Sequence, residues 1–331
     1  MMHSESEVSQ IKQSLHPFLQ RVECLIEESL RSDVGLLDSV NRFLRERPGK
    51  MMRPILAILC AGACGSVGED TLSFAAAAEL LHNATLLHDD VVDDAPERRG
   101  RPTVSSILGG RASVLIGDYW LVRCMQLAIK ADHFGNRVIN IFAKTLADLA
   151  QGEMLQMEKA SSADTTLDDY LRIIYCKTAS LFETAALSGS ISAGASEEVC
   201  KALAGYAAAL GIAFQIKDDI FDYGTGGSSL GKPVGQDILE QKITLPLLCA
   251  MDEVPESEQT KIRSLVAGIA DNPSDAGKIV EFVSSHGGVE KAVEFLDRQI
   301  EKAVSYLDVL PESNEKSYLV TFARYVGSRN N

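Results

Sequence analysis

The chain has 331 residues, of which 46% are apolar, and it carries a formal net charge of −14. This apolar content excludes a disordered chain, and we expect one large domain spanning residues 1–331. The acidic balance argues against nucleic-acid binding, because phosphate recognition there needs an extended basic face. An anionic substrate would therefore need local basic pockets.

Seven cysteines are scattered along the chain, and none forms a CxxC pair or has the histidine spacing of a zinc site. The first residues, MMHSESEVSQIKQ, lack the basic and apolar regions of a signal peptide. No apolar run reaches the roughly 18 residues that cross a bilayer, and the longest covers residues 54–63. These features predict a cytoplasmic protein with reduced cysteines and no transmembrane segment.

Helical patterns recur along the whole chain, whereas alternating stretches rich in Val, Ile and Thr are missing. We therefore expect an all-α fold. The predicted helices cover residues 7–30, 35–46, 53–64, 70–94, 103–131, 135–159, 167–192, 197–223, 239–251, 256–270, 275–285, 288–307 and 315–328. No linker divides them, so they are expected to surround one deep central cavity.

Two of these helices end in aspartate clusters with the same spacing. The clusters are Asp89, Asp90 and Asp93, and Asp218, Asp219 and Asp222. Residues i and i+4 share a helix face, so each cluster presents paired carboxylates to one side. Two carboxylates about 4 Å apart repel by roughly 1 kcal/mol in water and about 4 kcal/mol at an intermediate dielectric. The helix macrodipole also disfavours acids at this end, so the repeated pattern indicates a bound cation. Oxygen ligands beside substrate phosphates suit Mg²⁺.

A single acidic helix face is usually just solvated. Apolar residues before both clusters, Leu86-Leu87 and residues 212–214, instead favour helices that are buried up to their acids and line a pocket. The pair Asp168-Asp169 provides a contrast, because it follows Thr166 at a predicted helix start, where acids are favoured. We interpret that pair as structural.

Arginines follow the first cluster at Arg98 and Arg99, where they could bind phosphate or simply neutralise the neighbouring acids. Lys50 and Arg53 flank a helix start, where free backbone amides add to anion binding. Lys232 ends a glycine-rich stretch that suits a phosphate lid, although such a stretch alone is typical of a surface loop.

His82 lies about two helical turns before Asp89 on the same face, which favours substrate contact over the usual role of a core histidine. His88 is rotated off that face by about 100° and is interpreted as structural.

In this order, the motifs GKMMRP, ELLHNATLLHDDVVDDAPERRGRPT, QGE, CKTASLF, FQIKDDIFDY and LGKPVGQDILEQKITLP resemble the trans-type polyprenyl diphosphate synthases, the isoprenyl chain-elongating family. The resemblance covers nearly the whole chain. It implies the isoprenoid synthase fold, a homodimer, and a deep cavity with one aspartate-rich motif on each wall. Pro48 and Met51 depart from the family pattern, where a glycine and a basic residue are common.

The resemblance also implies the chemistry. Mg²⁺ would be held by Asp89, Asp90, Asp93, Asp218, Asp219, Asp222 and Asp237. The allylic diphosphate ionises, isopentenyl diphosphate attacks the allylic cation, and a proton is lost, with charge on the leaving group stabilised by metal and basic side chains.

By similarity, isopentenyl diphosphate would be bound by Lys50, Arg53, His82 and Arg99, and the allylic diphosphate, of farnesyl or geranyl type, by Arg98, Lys177, Lys232 and Lys242. Thr178 and Gln215 would orient the reacting carbons, so Lys177, Thr178 and Gln215 are the predicted catalytic group.

Family members often set product length with the residues four and five before the first cluster. Here these are Thr85 and Ala84, both small, and a deeper floor is expected near Phe142. We predict a long product, hexaprenyl to decaprenyl, as in octaprenyl diphosphate synthase, with a geranylgeranyl or farnesyl product as the alternative. Release of such a product suggests transient membrane contact.

Two rival functions share this fold. A terpene cyclase usually lacks an intact second aspartate motif and the isopentenyl diphosphate site, and a noncatalytic synthase subunit typically loses one aspartate motif. Both aspartate motifs are complete in this chain.

Overall fold

The computed structural model describes residues 2–46, 49–98, 100–225 and 235–329. Its α-helices, in chain order, are α1 Met2–Ser14, α2 His16–Leu30, α3 Gly35–Arg45, α4 Met52–Cys64, α5 Glu69–Val92, α6 Val104–Leu108, α7 Gly110–Ala131, α8 Arg137–Ser162, α9 Leu167–Ile174, α10 Ser180–Ser192, α11 Glu197–Ile220, α12 Gln236–Leu239, α13 Leu245–Met251, α14 Glu256–Ala267, α15 Ala276–Ser285, α16 Gly288–Ser305 and α17 Asn314–Ser328. A two-residue hairpin pairs β1 Glu97–Arg98 with β2 Arg101–Pro102. The predicted all-α fold is confirmed.

Several predicted helices are interrupted. The segment 7–30 breaks at Leu15, just before Pro17 in the first turn of α2, and 103–131 breaks at Gly109, whose φ is +83°. π-helical turns at Tyr175–Ala179 and Phe221–Thr225 interrupt or end two others. The helix predicted from residue 239 was wrong at its start, because α12 ends at Leu239 and α13 begins at Leu245. The β1–β2 hairpin was not predicted.

Helix α5 lies in the middle of the fold and packs against α2, α4, α7 and α10. Its residues Ala75 to Ala78 have no exposed surface, and their small side chains allow neighbouring helices to approach closely. Helix α11 packs against α10 and α16 and also contacts the π turn Tyr175–Ala179. A Cβ at Gly211 of α11 would lie 2.5 Å from the Cα of Ala179, so only glycine permits this approach.

A smaller group of buried side chains gathers α12 to α15 at one side of the main core and includes Ile238, Leu247, Val266 and Ile279. Leu248 and Val289 pack against both groups. The C-terminal helices are thereby fixed beside the end of α11, where the second aspartate cluster lies.

Two described helical segments are long and apolar enough to cross a membrane by length and composition, Gly110–Ala131 and Glu197–Gly224. In these segments, 33% and 50% of the most apolar window is buried inside the protein, and core helices pass the same test. The expectation that the chain has no transmembrane segment stays a prediction.

Candidate active site

A cavity of about 400 Å³ lies between the C-terminal half of α5, the start of α4, the π turn Tyr175–Ala179 and the end of α11. The predicted site residues that line it are Lys50, Arg53, His82, Thr85, Asp89, Arg98, Lys177, Thr178, Gln215, Asp218, Asp219, Asp237 and Lys242. Residues of both aspartate clusters therefore face one space, together with basic side chains from four parts of the chain.

The first wall is a single face of α5. His82, Thr85 and Asp89 follow one another at spacings of three and four residues and all line the cavity. The helix ends at Val92, and Asp93 is its C-cap, donating its backbone N–H to the carbonyl of Asp89 at 2.8 Å.

Asp90 points to another side of α5 and is buried. One of its carboxylate oxygens accepts a hydrogen bond from Nε of Arg98 at 2.6 Å. Arg98 itself lines the main cavity, so the ion pair with Asp90 anchors the β1–β2 hairpin beside the first aspartate cluster.

The second wall contains a chain of hydrogen bonds around the buried Asp219. The hydroxyl of Tyr170 donates to Oδ2 of Asp219 at 2.6 Å, and Nε2 of Gln215 donates to Oδ1 at 2.9 Å. The hydroxyl of Thr178 donates in turn to Oε1 of Gln215 at 2.7 Å. Three residues, from α9, the π turn and α11, thus hold this carboxylate in place.

The other two aspartates of the second cluster have different surroundings. Oδ1 of Asp218 accepts a hydrogen bond from Nη2 of Arg329 at 2.7 Å, and the same guanidinium lies 3.8 Å from the ring centre of Phe214. Both oxygens of Asp222 accept backbone N–H groups at the start of α12, from Gln236 and Asp237, each at 3.0 Å. Asp222 therefore caps α12, and this contact brings Asp237 next to the cluster.

Burial dominates the electrostatics of these carboxylates. It raises the pKa of Asp89 to about 6, partly offset by Lys177 and reinforced by Glu153 and Asp93. Burial likewise raises the pKa of Asp219 to about 6, against the hydrogen bonds from Tyr170 and Gln215. The pKa of Asp237 lies well above its usual value because it is buried next to Asp219 and Asp222. A cation in the cavity would relieve these unfavourable charges.

The donor set fits a hard divalent cation. Carboxylates of both clusters line the cavity, and among the described residues no group of three or more His, Cys, Asp or Glu side chains is placed to hold a metal ion by itself. Mg²⁺ is usually held by one or two carboxylates together with waters and substrate phosphates, so an open arrangement of this kind is expected. Lys177 and Lys242 form ion pairs with Glu153 and Glu240, which keeps both ammonium groups at the cavity.

The raised pKa values predict a specific pH dependence. Between about pH 4 and about pH 6, Asp89 and Asp219 bind protons in the folded protein but not in the unfolded chain. Their contribution to the free energy of unfolding of the metal-free protein therefore falls as pH rises through this window.

Protons and cations compete for the same carboxylate oxygens. We therefore expect Mg²⁺ to raise the unfolding temperature clearly at about pH 7.5 and little at about pH 5, measured by thermal melts with and without MgCl₂. Equal shifts at both pH values would contradict this assignment.

Lys177 and Thr178 are neighbours in sequence and both line the cavity. In a regular α-helix, successive side chains are about 100° apart. The π turn widens the helix at this point, and such turns are frequent at functional sites. Gly152 of the QGE motif packs against this turn, since a Cβ there would lie 2.6 Å from the Cβ of Cys176.

Other predicted residues lie elsewhere. Ala84 and Phe142 are buried in the core and do not line the cavity, whereas Thr85 does. Arg99, Lys232 and the unusual Pro48 lie outside the described residues. His88 packs on Gly117 and contacts Asp118 at 3.3 Å, away from the cavity.

Sequence reasoning missed several residues at the site, namely Glu79, Gln156, Lys159, Tyr170, Phe214 and Arg329. Glu79 lies one turn before His82 on α5, so helical periodicity could have identified it. Tyr170 and Arg329 are 49 and 111 residues from their aspartate partners, and no local pattern links them.

Comparison with known proteins places these features in a family. A family model described as polyprenyl synthetase matches residues 35–283. Octaprenyl diphosphate synthase of Haemophilus influenzae is 35% identical over 98% of this chain and 97% of that protein, and the Escherichia coli octaprenyl diphosphate synthase is 37% identical over 93% and 94%.

Solved structures agree. A decaprenyl diphosphate synthase from Rhodobacter capsulatus superposes with a TM-score of 0.91 at 36% identity, covering 98% of this chain and 99% of that one. A polyprenyl synthase from Caulobacter crescentus, complexed with calcium and isoprenyl diphosphate, superposes with a TM-score of 0.90 at 31% identity, covering 98% of both chains. The chain therefore belongs to the polyprenyl synthetase family of trans-prenyltransferases, which are generally metal-dependent.

Proposed function

We propose that this chain uses Mg²⁺ to condense isopentenyl diphosphate repeatedly with an allylic diphosphate and releases a long-chain all-trans polyprenyl diphosphate. The observation that carries the proposal is that carboxylates of both aspartate clusters and basic side chains from α4, the hairpin and the π turn face one cavity. A protein that ionises one diphosphate and adds a second needs both sets of charges in one space.

The residues divide into roles by position. The carboxylates that line the cavity would hold Mg²⁺, namely those of Asp89, Asp218, Asp219 and Asp237. Around them, Asp90 fixes the hairpin, Asp93 ends α5 and Asp222 caps α12. Mg²⁺, when bound, supplies positive charge beside the leaving diphosphate. Arg98, Lys177 and Lys242 would bind the allylic diphosphate, with Lys232 added from outside the described residues.

Lys50, Arg53 and His82 lie at the start of α4 and on α5, where with Arg99 they would bind isopentenyl diphosphate. Thr178 and Gln215 already share a hydrogen bond, so the lone pairs of their oxygens can stabilise the developing allylic cation from a fixed position. No side chain needs to act as a nucleophile.

Incubation with farnesyl diphosphate, excess isopentenyl diphosphate and Mg²⁺, followed by chromatography, tests the proposal. We expect products of roughly six to ten isoprene units, because the small side chain of Thr85 lines the cavity where a bulky residue would stop chain growth early. Hydrocarbon released from the allylic diphosphate alone would instead identify a terpene cyclase. Turnover that required a second, different chain would identify a synthase subunit.

We further propose that the protein is a homodimer. Leu115, Val122 and Ile129 recur every seven residues on α7 and are 69%, 53% and 61% exposed, so they form one apolar stripe along the helix. Met154 and Met157 of α8 are exposed as well. Exposed apolar side chains aligned along one helix in this way favour contact with a second copy of the chain.

Replacing both Leu115 and Val122 by Glu is expected to convert a dimer into a monomer, because charges would be buried without partners at the contact. Light scattering after size-exclusion chromatography measures the mass. The control is Leu36→Glu, since Leu36 is 64% exposed but belongs to α3 and not to the stripe on α7. A dimer that survives the double substitution would contradict this placement.

In this arrangement neither of the two long apolar helices crosses a membrane. Helix α11 is packed inside the fold. Helix α7 carries the apolar stripe and also four charged residues, Arg111, Asp118, Arg123 and Lys130. All seven cysteines are free, which suits a reducing cytoplasm. We propose that the whole chain works as one cytoplasmic catalytic domain that meets the membrane only for product release.

A further inference from the structure

Tyr170 occupies an unusual place at the site. It is only 3% exposed, it lines the cavity, and its hydroxyl hydrogen-bonds to Oδ2 of Asp219 at 2.6 Å. No sequence motif contains it, since it lies on α9, well before the π turn that carries Lys177 and Thr178. Its contact with the second aspartate cluster is therefore visible only in the structure and not in the sequence.

The two hydrogen bonds to Asp219 fix the plane of its carboxylate. Gln215 donates to Oδ1 and Tyr170 donates to Oδ2, so each oxygen receives one donor. A carboxylate offers about four lone-pair sites, which leaves a remaining site on each oxygen for a cation. With only one of the donors, the carboxylate could rotate about its bond to Cβ and lose this orientation.

Helix α9 is itself held firmly. Thr166 caps its first turn by accepting the backbone N–H of Asp169 at 3.2 Å, and Asp169 pairs with Nζ of Lys159 at 3.0 Å. Ile173 and Ile174 bury the other end of the helix. Asp169, one of the acid pair that the sequence indicated as structural, thus anchors the helix that presents Tyr170 to the cavity.

We propose that Tyr170 is a positioning residue for the prenyl transfer reaction: its hydroxyl holds the Asp219 carboxylate in the orientation that binds the cation. This inference rests on the proposed function, in which Asp219 is a Mg²⁺ ligand. Partners that orient metal ligands typically contribute about 10- to 100-fold to metal affinity. The loss of one hydrogen bond to a charged group corresponds to a decrease of about tenfold in a binding constant.

The test is Tyr170→Phe, which removes only the hydroxyl. Mn²⁺ serves as the probe, and free Mn²⁺ is measured by electron paramagnetic resonance in the presence of an allylic thiodiphosphate that does not ionise. We expect Mn²⁺ affinity to fall about tenfold, and the Mg²⁺ concentration for half-maximal rate to rise by a similar factor. High Mg²⁺ should restore kcat, and the KM for isopentenyl diphosphate should not change, because Lys50 and His82 lie on the other wall.

The matched control is Tyr175→Phe. The Tyr175 hydroxyl also donates to a carboxylate, Oε2 of Glu183 at 2.9 Å, but neither residue lines the cavity. This variant should keep wild-type Mn²⁺ affinity. If Tyr170→Phe does not fold, Tyr170→Met gives the same test, because methionine fills irregular space without a hydroxyl.

Wild-type Mn²⁺ affinity in the Tyr170 variant would overturn the inference. If the unfolding temperature fell while the affinity stayed unchanged, Tyr170 would have a structural role alone. Asp219→Asn separates this failure from failure of the proposed site. If Asp219→Asn binds Mn²⁺ weakly while the Tyr170 variant binds it normally, the site stands and the role of Tyr170 falls. If Asp219→Asn itself binds Mn²⁺ normally, the assignment of Asp219 as a ligand is wrong.

Discussion

Replacing Asp219 by Asn is expected to lower kcat by about 10³-fold, because one preorganised charge at the reacting diphosphate is lost. The change keeps the shape of the side chain, removes its negative charge and replaces one acceptor oxygen by an NH2 group, for which the Tyr170 hydroxyl can turn from donor to acceptor. Since Asp219 is buried and its pKa is already raised to about 6, the neutral side chain should be tolerated by the fold. The unfolding temperature of the metal-free variant at neutral pH should therefore equal or exceed that of the wild type.

Incorporation of labelled isopentenyl diphosphate measures the rate, and a thermal melt measures the stability. Asp168→Asn is the control, because Asp168 is an exposed acid in the first turn of α9 and does not line the cavity. Its rate should stay within about twofold of wild type, in line with the small effects of surface substitutions. Wild-type turnover by Asp219→Asn would remove the second aspartate cluster from the mechanism.

Replacing Thr85 by Phe is expected to shorten the product from a long chain to about four isoprene units or fewer, since an aromatic ring would fill the cavity. Thr85 lies one turn below Asp89 on the same face of α5, and its hydroxyl donates to the carbonyl of His82 at 2.8 Å. In the proposed mechanism, a growing prenyl chain would pass this side chain as it leaves the reacting centre. Chromatography of products from farnesyl diphosphate measures the change.

Ala84→Phe provides the comparison. Ala84 is 1% exposed and is buried in the core rather than lining the cavity. A phenyl ring there overpacks the core, which typically costs about 1 to 3 kcal/mol of folding stability. We expect a lower unfolding temperature as its main effect. Unchanged product length in Thr85→Phe would show that the chain leaves the cavity by another route.

The sequence predicted those parts of the fold that depend on local rules. Helical periodicity placed His82, Thr85 and Asp89 on one face of α5, and the structure has them lining one cavity. The capping residue Thr166 correctly marked the start of α9. The breaks at Gly109 and in the π turn Tyr175–Ala179 were missed, because one inserted or left-handed residue hardly changes the apolar pattern around it.

The site was predictable only in part, for a physical reason. Tyr170 reaches Asp219 and Arg329 reaches Asp218 through packing of distant helices, and such contacts leave no spacing in the sequence. Asp222 is a similar case, because its spacing suggested a metal ligand while the structure has both of its oxygens accepting backbone N–H groups of α12. A repeated motif thus locates a cluster but does not indicate which of its aspartates bind a cation and which accept backbone hydrogen bonds.

The face of α5 that carries His82, Thr85 and Asp89 has a consequence for how such enzymes diversify. In the proposed mechanism, substrate recognition, product size and ionisation would depend on residues on separate turns of one helix. A point mutation at the middle turn can alter the length of the released lipid while the turns above and below keep the reaction running. Under this proposal, natural selection could change the length of the prenyl chain one codon at a time and leave the residues that bind metal and substrate unchanged.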